Sequence, residues 1–276
     1  MHITVDMLRA KNACEDQVAL FEQTFPAGMD WPEDLEKAGW AGLDTAWGAM
    51  EFGLSGVCEA WHYNGQLRLR TPYEHGKLHG VREEWHDNGQ MSSRLPYEHG
   101  ERHGVREIWY NNGQLWFREH YEHGVLHGVR EKWLANGQIS SREPYEHYER
   151  HGVCEVWYSN GQLWFRKHYE HGERHGVREK WHANGQLWYR AHFEHGKLHG
   201  VREEWHDNGQ LCYRRPYEHG ERHGVCEMWY ANGQLRYRRP YEHGELHGVR
   251  EAWYDNGRLI SRTRYEHGEF VSEEVV

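Results

Sequence analysis

The chain has 276 residues, with 43 acidic side chains against 33 basic ones, 25 histidines and a formal net charge of −10. That acidic excess disfavours a phosphate-tracking surface, so neither nucleic acid nor anionic lipid headgroups are expected partners. No apolar run approaches the roughly 20 residues of a membrane span, and Met1 to Asp6 lack the basic-then-apolar order of a secretory signal.

Residues 1–54 carry no internal period and read as a short helical cap. Asn12-Ala13-Cys14-Glu15 has the form of an N-cap with a reciprocal glutamate, followed by Cys14, Val18, Phe21 and Phe25 at helical spacing. Asp30-Trp31-Pro32-Glu33 gives a second helix start, with proline in the tolerated first turn. Leu43 to Leu54, with Trp47, Met50 and Phe52, gives a third. Their apolar faces are expected to cover the open edge of the sheet that follows, since an unpaired edge invites association.

From Gly56 the chain is periodic. Gly56, Gly80, Gly104 and so on to Gly248 recur every 24 residues, and nine copies fill the stretch to Val271. A period of this size means a repeat array, in which each unit packs on its neighbours. Numbered from that glycine, every copy has Glu at place four (Glu59 to Glu251), Asn-Gly at places nine and ten (Asn64-Gly65 to Asn256-Gly257) and Arg at place fifteen (Arg70 to Arg262). Asn-Gly between apolar-containing runs predicts a two-residue type I′ hairpin turn. Facing places then sum to nineteen, which sets each Glu of place four opposite each Arg of place fifteen. Such pairs contribute roughly 0.2–1 kcal/mol each and hold register.

The second connection, Glu-His-Gly-x-x-His-Gly as in Glu74 to Gly80, predicts a longer turn between hairpins. Alternation puts Val at two, Glu at four, Trp at six, Gln at eleven, place thirteen and Arg at fifteen on one face. Places five, seven, twelve, fourteen and eighteen take the other. Neither face is purely apolar, which suits a thin single-layer sheet wetted on both sides. Pro72, Pro96, Pro144, Pro216 and Pro240 at place seventeen cannot donate to a ladder, so pairing should loosen or bulge there. The expected fold is an all-β repeat array, a single elongated antiparallel sheet of nine 24-residue hairpins behind a short α-helical N-terminal cap. The boundaries are 1–54 for the cap, 55–271 for the hairpin repeats and 272–276 for a C-terminal tail, whose acidic and apolar residues would close the far edge as a last strand or trail from it.

The Tyr-Glu-x-Gly-x-x-x-Gly rhythm with a following W-x-x-N-G-Q-L resembles the MORN repeat, and most of all the bacterial variant in YwqK-type antitoxin proteins. The resemblance spans all nine units and implies one hairpin per unit. It departs at Tyr148, which stands where the loop glycine belongs and should distort that connection. MORN proteins bind partners or membranes, and YwqK-type proteins are associated with toxin neutralisation. The resemblance therefore implies a binding scaffold.

Chemistry is sparse. The glutamates of places four and nineteen recur identically in every copy, whereas an active site is one constellation, so no enzyme is expected. His-Gly-x-x-His occurs in seven copies, with His147 and His151 an eighth pair, and reads as copied turn residues; neither a metal site nor a cofactor is expected. Protonating every histidine would carry the formal charge from −10 to +15, so binding or solubility should change between about pH 7 and 5. Cys14, Cys58, Cys154, Cys212 and Cys226 are odd in number and lack close spacing, which fits a reducing cytoplasm.

The functional signal lies where units differ. Place thirteen is aromatic at Trp116, Trp164 and Trp188, and place fourteen at Phe117, Phe165, Tyr189, Tyr213 and Tyr237. Tyr110 and Tyr158 stand at place seven. Exposed aromatic side chains are common interface anchors, and these ten residues are the candidate contact set for a protein partner. The expected function is a non-catalytic, cytoplasmic protein-binding scaffold. The resemblance points it towards an antitoxin, immunity or phage–bacteria conflict role exerted by occlusion. The competing expectations are a structural or membrane-apposed scaffold, and a small-ligand or nucleotide binder that uses the aromatic rows as shelves.

Overall fold

A computed structural model describes residues 1–34, 37–38 and 43–274. The chain divides into two compact units, Met1–Gln138 and Ile139–Val276. The first unit opens with helices α1 (Val5–Ala10), α2 (Glu15–Thr24) and α3 (Thr45–Phe52), and with a short strand pair, His2–Ile3 against Met29–Asp30. Helix α1 carries no signal in the sequence reading. Cys14, not Asn12, is the N-cap of α2; Asn12 instead takes a left-handed conformation (φ 57°) beyond α1. After Asp30 the backbone turns over 31–34, with the Asp34 amide donating to the Asp30 carbonyl at 2.8 Å, and residues 37–38 are helical as expected, while 35, 36 and 39–42 lie outside the described residues. Helix α3 forms where expected: the Asp44 carboxylate accepts from the Trp47 amide at 2.9 Å, and Gly53 closes it in the left-handed region. Phe21, Phe25, Met29, Trp31 and Ala49 share one core with Cys58 and Tyr73, so the helices lie against a face of the first hairpin.

Each repeat has a first strand of six residues, such as Gly56–Trp61, and a second of eight, such as Leu67–Glu74, except that the first strand of the sixth repeat runs unbroken from the preceding turn as Glu173–Trp181. In every hairpin that lies inside one unit, place four faces place fifteen, from Glu59 opposite Arg70 to Glu251 opposite Arg262. The expected register is right, but the turn that was to set it is not there. Only Gly65 has positive φ in the Asn-Gly turn, and the His62 amide donates to the Gln66 carbonyl at 2.8 Å. Tyr63-Asn64-Gly65 is thus a three-residue loop with glycine in the left-handed position, the arrangement of a type I turn with a G1 bulge. Such a loop pairs places that sum to eighteen, as Trp61 with Leu67 does. A β-bulge at place thirteen then inserts one residue and restores nineteen, as at Ala60 with Leu69.

The type I′ geometry is at the other turn. His75 (φ 50°) and Gly76 (φ 76°) both have positive φ, between paired Glu74 and Lys77. The expected longer connection is therefore a two-residue turn followed by a two-residue strand, Lys77–Leu78. Tyr148 does not distort its copy. It adopts φ 69° and keeps Glu146 opposite Glu149, so the turn retains its geometry and the tyrosine carries the strain, about 1–2 kcal/mol.

The prolines do sit at an irregularity. Regular pairing breaks off between Arg70–Glu83 and Tyr73–Leu78, where the Pro72 carbonyl accepts from the His79 amide at 3.2 Å. The nitrogen of an antiparallel residue faces the same side as its carbonyl. The proline nitrogen thus points into a bulge, where no donor is required. Across that gap Gly80 approaches the Pro72 ring so closely that a Cβ would lie 3.2 Å from it.

Paired residues share a face, so two face assignments exchange. Leu67 opposite Trp61 places place twelve on the tryptophan face, and the bulged place thirteen joins places seven and fourteen on the tyrosine face. Burial is one-sided, contrary to a sheet wetted alike on both sides. Within the repeats of the first unit the buried residues include Cys58, Leu95, Glu119 and Tyr121, and within the second Cys154, Tyr189, Ala191 and Cys226. All eight belong to the tyrosine face. In the second unit the last strand, Glu269–Glu274, pairs with Leu259–Glu266, so residues 272–274 are still sheet.

Candidate partner-binding surface

The tryptophan face carries a charge ladder denser than the hairpin register alone implies. Arg70 bonds Glu59 at 2.7 Å within its hairpin and lies 3.9 Å from Glu83 of the next. Arg166 stands likewise between Glu155 (2.9 Å) and Glu179 (3.8 Å), and Arg262 between Glu251 (2.8 Å) and Glu274 (3.2 Å). These arginines also lie over tryptophan rings, as Arg118 does over Trp133 at 5.5 Å. Alternating charge pairs within and between repeats. The ladder is a register device and is internally neutralised.

The turns are stapled from repeat to repeat. Asn64 Oδ1 accepts from the Gln66 amide at 3.1 Å, and Asn64 Nδ2 donates to the Asp87 carbonyl of the next turn. This double use, absent from a type I′ turn, accounts for asparagine at place nine. Place seven does the same work one strand in. The Tyr110 hydroxyl donates to the Trp133 carbonyl and the Tyr158 hydroxyl to that of Trp181, each at 3.0 Å. Both candidate tyrosines therefore spend their polar end on repeat packing.

Eight of the ten candidate residues nevertheless gather into three like clusters. In the first unit the Trp116 ring lies 6.0 Å from Tyr110 and 6.4 Å from Phe117. In the second, Trp164 lies 5.8 Å from Tyr158 and 5.1 Å from Phe165, and Trp188 lies 5.9 Å from both His182 and Tyr189. The bulge makes these triads by turning place thirteen towards place fourteen. Trp116 is 45% and Trp164 44% exposed, so large rings stand in solvent on a fixed backbone. Tyr213 and Tyr237 stand apart from the triads: the Arg215 guanidinium lies 4.1 Å from the Tyr213 ring and Arg239 lies 4.5 Å from Tyr237.

Sequence reasoning missed the residues at places three and sixteen, which face each other across the middle of the tyrosine face. In the first unit Glu119, 1% exposed, accepts from Arg106 at 2.9 Å, from Arg130 at 3.1 Å and from the Tyr121 hydroxyl. In the second, Lys167, Arg215 and Arg239 take that place. The signal available was the drift of place sixteen from acidic at Glu119 and Glu143 to basic further on.

The histidines form a different kind of row. His79 of one loop lies 3.4 Å from Glu74 and 5.3 Å from the His99 ring of the next, and His223 relates likewise to Glu218 (3.7 Å) and His243 (5.5 Å). No cluster of three or more His, Cys, Asp or Glu with metal-binding geometry occurs among the described residues. A hollow of about 300 Å³ lies among the helices, lined by Leu8, Phe21, Met29, Trp31 and Trp47.

The buried cysteines are poor nucleophiles. Burial pushes the Cys58 and Cys154 thiols up to about 11, and it raises Cys226 as well. A raised folded value means that the neutral thiol stabilises fully below about pH 9, and that this contribution fades as pH climbs towards 11. Iodoacetamide labelling of the native chain at pH 8, read by mass spectrometry, should modify exposed Cys14 first and leave Cys58 and Cys154 unmodified until unfolding. Rapid labelling of Cys58 in the native state would contradict the burial argument.

Among curated proteins none matches the chain. A family described as the MORN repeat variant matches eight successive segments, 78–99, 102–123, 126–147, 150–171, 174–195, 198–219, 222–243 and 246–267. The first hairpin, Gly56–Glu74, falls before the matched segments but has the register of the rest. No described helix is long and apolar enough to cross a membrane. With matched segments covering more than half its length, the chain belongs to the MORN repeat variant family, whose repeats serve generally as protein- or membrane-binding scaffolds.

Proposed function

We propose that this chain is a non-catalytic, cytoplasmic scaffold that binds a protein partner through its aromatic triads. The observation that supports this reading most is the repeated placement of a half-exposed tryptophan, Trp116 or Trp164, beside two further rings on a rigid bulge. Rigid aromatic anchors contribute contact area at low entropic cost and are the usual hot-spot residues. The partner's nature rests on the resemblance alone: a toxin or conflict protein whose working surface the scaffold occludes, in the manner of an antitoxin. Affinity capture from the native host, followed by mass spectrometry, tests the reading when the unaltered chain is run beside Trp116→Ala, Trp164→Ala and Trp188→Ala. Each truncation should weaken capture by about 2 kcal/mol or more while the circular dichroism of the sheet is unchanged. Equal capture by all three variants removes the triads from the interface.

A further inference from the structure

The net charge of −10 hides a cationic face. On the tyrosine face of the second unit, the register brings together Lys167, Arg178, Lys180, Arg215, Arg239 and Arg250. None of the six makes an ion pair among the described residues. Between Gly152 and Thr263 the one carboxylate on this face is Glu204, and it is already bonded to Arg202. The contrast with the rest of the molecule is sharp. Arginines of the tryptophan face sit between glutamates, and in the first unit Arg106 and Arg130 are satisfied by Glu119. Burial, and then neighbouring arginines led by Arg178, hold the Lys167 and Lys180 amines below their ordinary range. The Nε–H groups of Arg178, Arg239 and Arg250 are buried without an acceptor. A positive field of this kind is costly to the free fold and is relieved by an anion.

The geometry points to one place in particular. A hollow of about 80 Å³ opens between the seventh and eighth repeats, lined by Arg215, Arg222 and Arg239 together with Tyr213, Tyr237 and Tyr241, and by Glu227, whose carboxylate pairs with Arg238 on the tryptophan face. It is several times the space that one water needs. Three guanidiniums converge on it, and the planar guanidinium fork matches a carboxylate in two-point bonds. We infer that the tyrosine face of the second unit, centred on Arg215, Arg222 and Arg239, binds an acidic polypeptide segment, with one carboxylate in the hollow. This deepens the protein-binding reading and rests on it.

Two observations select a peptide over a nucleic acid. Single-strand binding surfaces offer bare ring faces on which bases stack. Here the Tyr213 and Tyr237 rings have arginines over them at 4.1 and 4.5 Å. Nor is the cationic patch general to the chain, whose charge outside this face is more negative still. A long polyanion would meet repulsion there, whereas a short acidic segment can be confined to the one face.

Fluorescence anisotropy with the intact chain tests the inference, using a labelled oligoglutamate peptide and its oligoglutamine counterpart. The glutamate peptide should bind, weaken as salt is raised, and lose about tenfold or more in affinity in Arg215→Gln and in Arg239→Gln. Arg214→Gln and Arg238→Gln remove the same charge from the opposite face and should leave affinity within about twofold. Amide exchange in the unaltered chain gives a readout independent of any variant: the peptide should protect 211–218 and 235–242. Lack of binding, equal binding of oligoglutamine, equal loss in the opposite-face variants, or tighter binding of oligothymidylate or phosphatidylserine vesicles would each overturn the assignment. Capture of a partner that depends on the triads but not on Arg215 or Arg239 would sink this inference and leave the scaffold reading standing.

Discussion

Glu119→Gln is expected to destabilise the first unit by about 3–5 kcal/mol, the usual cost of removing one partner of a buried ion pair. The side chain is isosteric, so the loss is electrostatic rather than one of packing. Glu119 is almost wholly buried and answers Arg106, Arg130 and the Tyr121 hydroxyl at once. A glutamine can turn one oxygen towards a guanidinium, but its NH₂ must then face another donor. Arg106 would lose its countercharge 5.7 Å from the Phe117 ring, and Arg130 on the other side of that ring would lose its bond to this carboxylate. Glu107→Gln is the control. Glu107 bonds Arg118 at 3.1 Å, but Arg118 is 43% exposed and also lies 3.8 Å from Glu131. That loss should stay below about 1 kcal/mol. Urea unfolding followed by tryptophan fluorescence separates the two. Equal midpoints for Glu119→Gln and Glu107→Gln would mean that the buried network contributes nothing beyond the surface ladder.

Much of the repeat was legible because the 24-residue period copies every local rule nine times. Hairpins, their order and the Glu–Arg pairing all follow from glycine, asparagine and charge at fixed places. The pairing came out right because two departures cancel: the loop is one residue longer than a type I′ turn, and the bulge at place thirteen gives that residue back. Neither is readable from Asn-Gly alone, since both turn types accept that dipeptide. The tight turn was missed because residues other than glycine seldom take positive φ; here the Gly76 amide donates to the Leu54 carbonyl, and that of Gly100 to Leu78 of the preceding loop, which holds His75 and its copies there. The aromatic residues of places thirteen and fourteen were found by their variation, but alternation put them on opposite faces, and only the bulge brings them together. The cationic face was invisible to net charge, because paired glutamates on the opposite face and in the turns outnumber it. In the cap, α1 lacks a strong period over six residues, too short a window for amphipathicity to declare itself.

Trp31→Ala should cost about 3–5 kcal/mol, confined to the cap and the first hairpin. The indole is 4% exposed and lies in the core that joins α2 and α3 to Cys58 and Tyr73. Its Nε1–H donates to the Ser55 carbonyl at 2.7 Å, immediately before the first strand begins at Gly56. Gly48 of α3 lies against its ring, where a Cβ would stand in ordinary van der Waals contact at 3.7 Å. Truncation opens a cavity between the helices and leaves the Ser55 carbonyl without its donor. Both losses fall on the joint between cap and sheet. Trp31→Phe keeps most of the volume and should cost about 1–2 kcal/mol, chiefly the lost bond. In a repeat array stability is a sum of units and nearest-neighbour interfaces, so damage at the joint should stay local. Amide exchange should therefore rise over residues 1–34, over α3 and over Gly56–Trp61, and remain as in the unaltered chain over 211–266. A uniform loss of protection in both stretches would show that the cap governs the folding of the whole array rather than of its first hairpin.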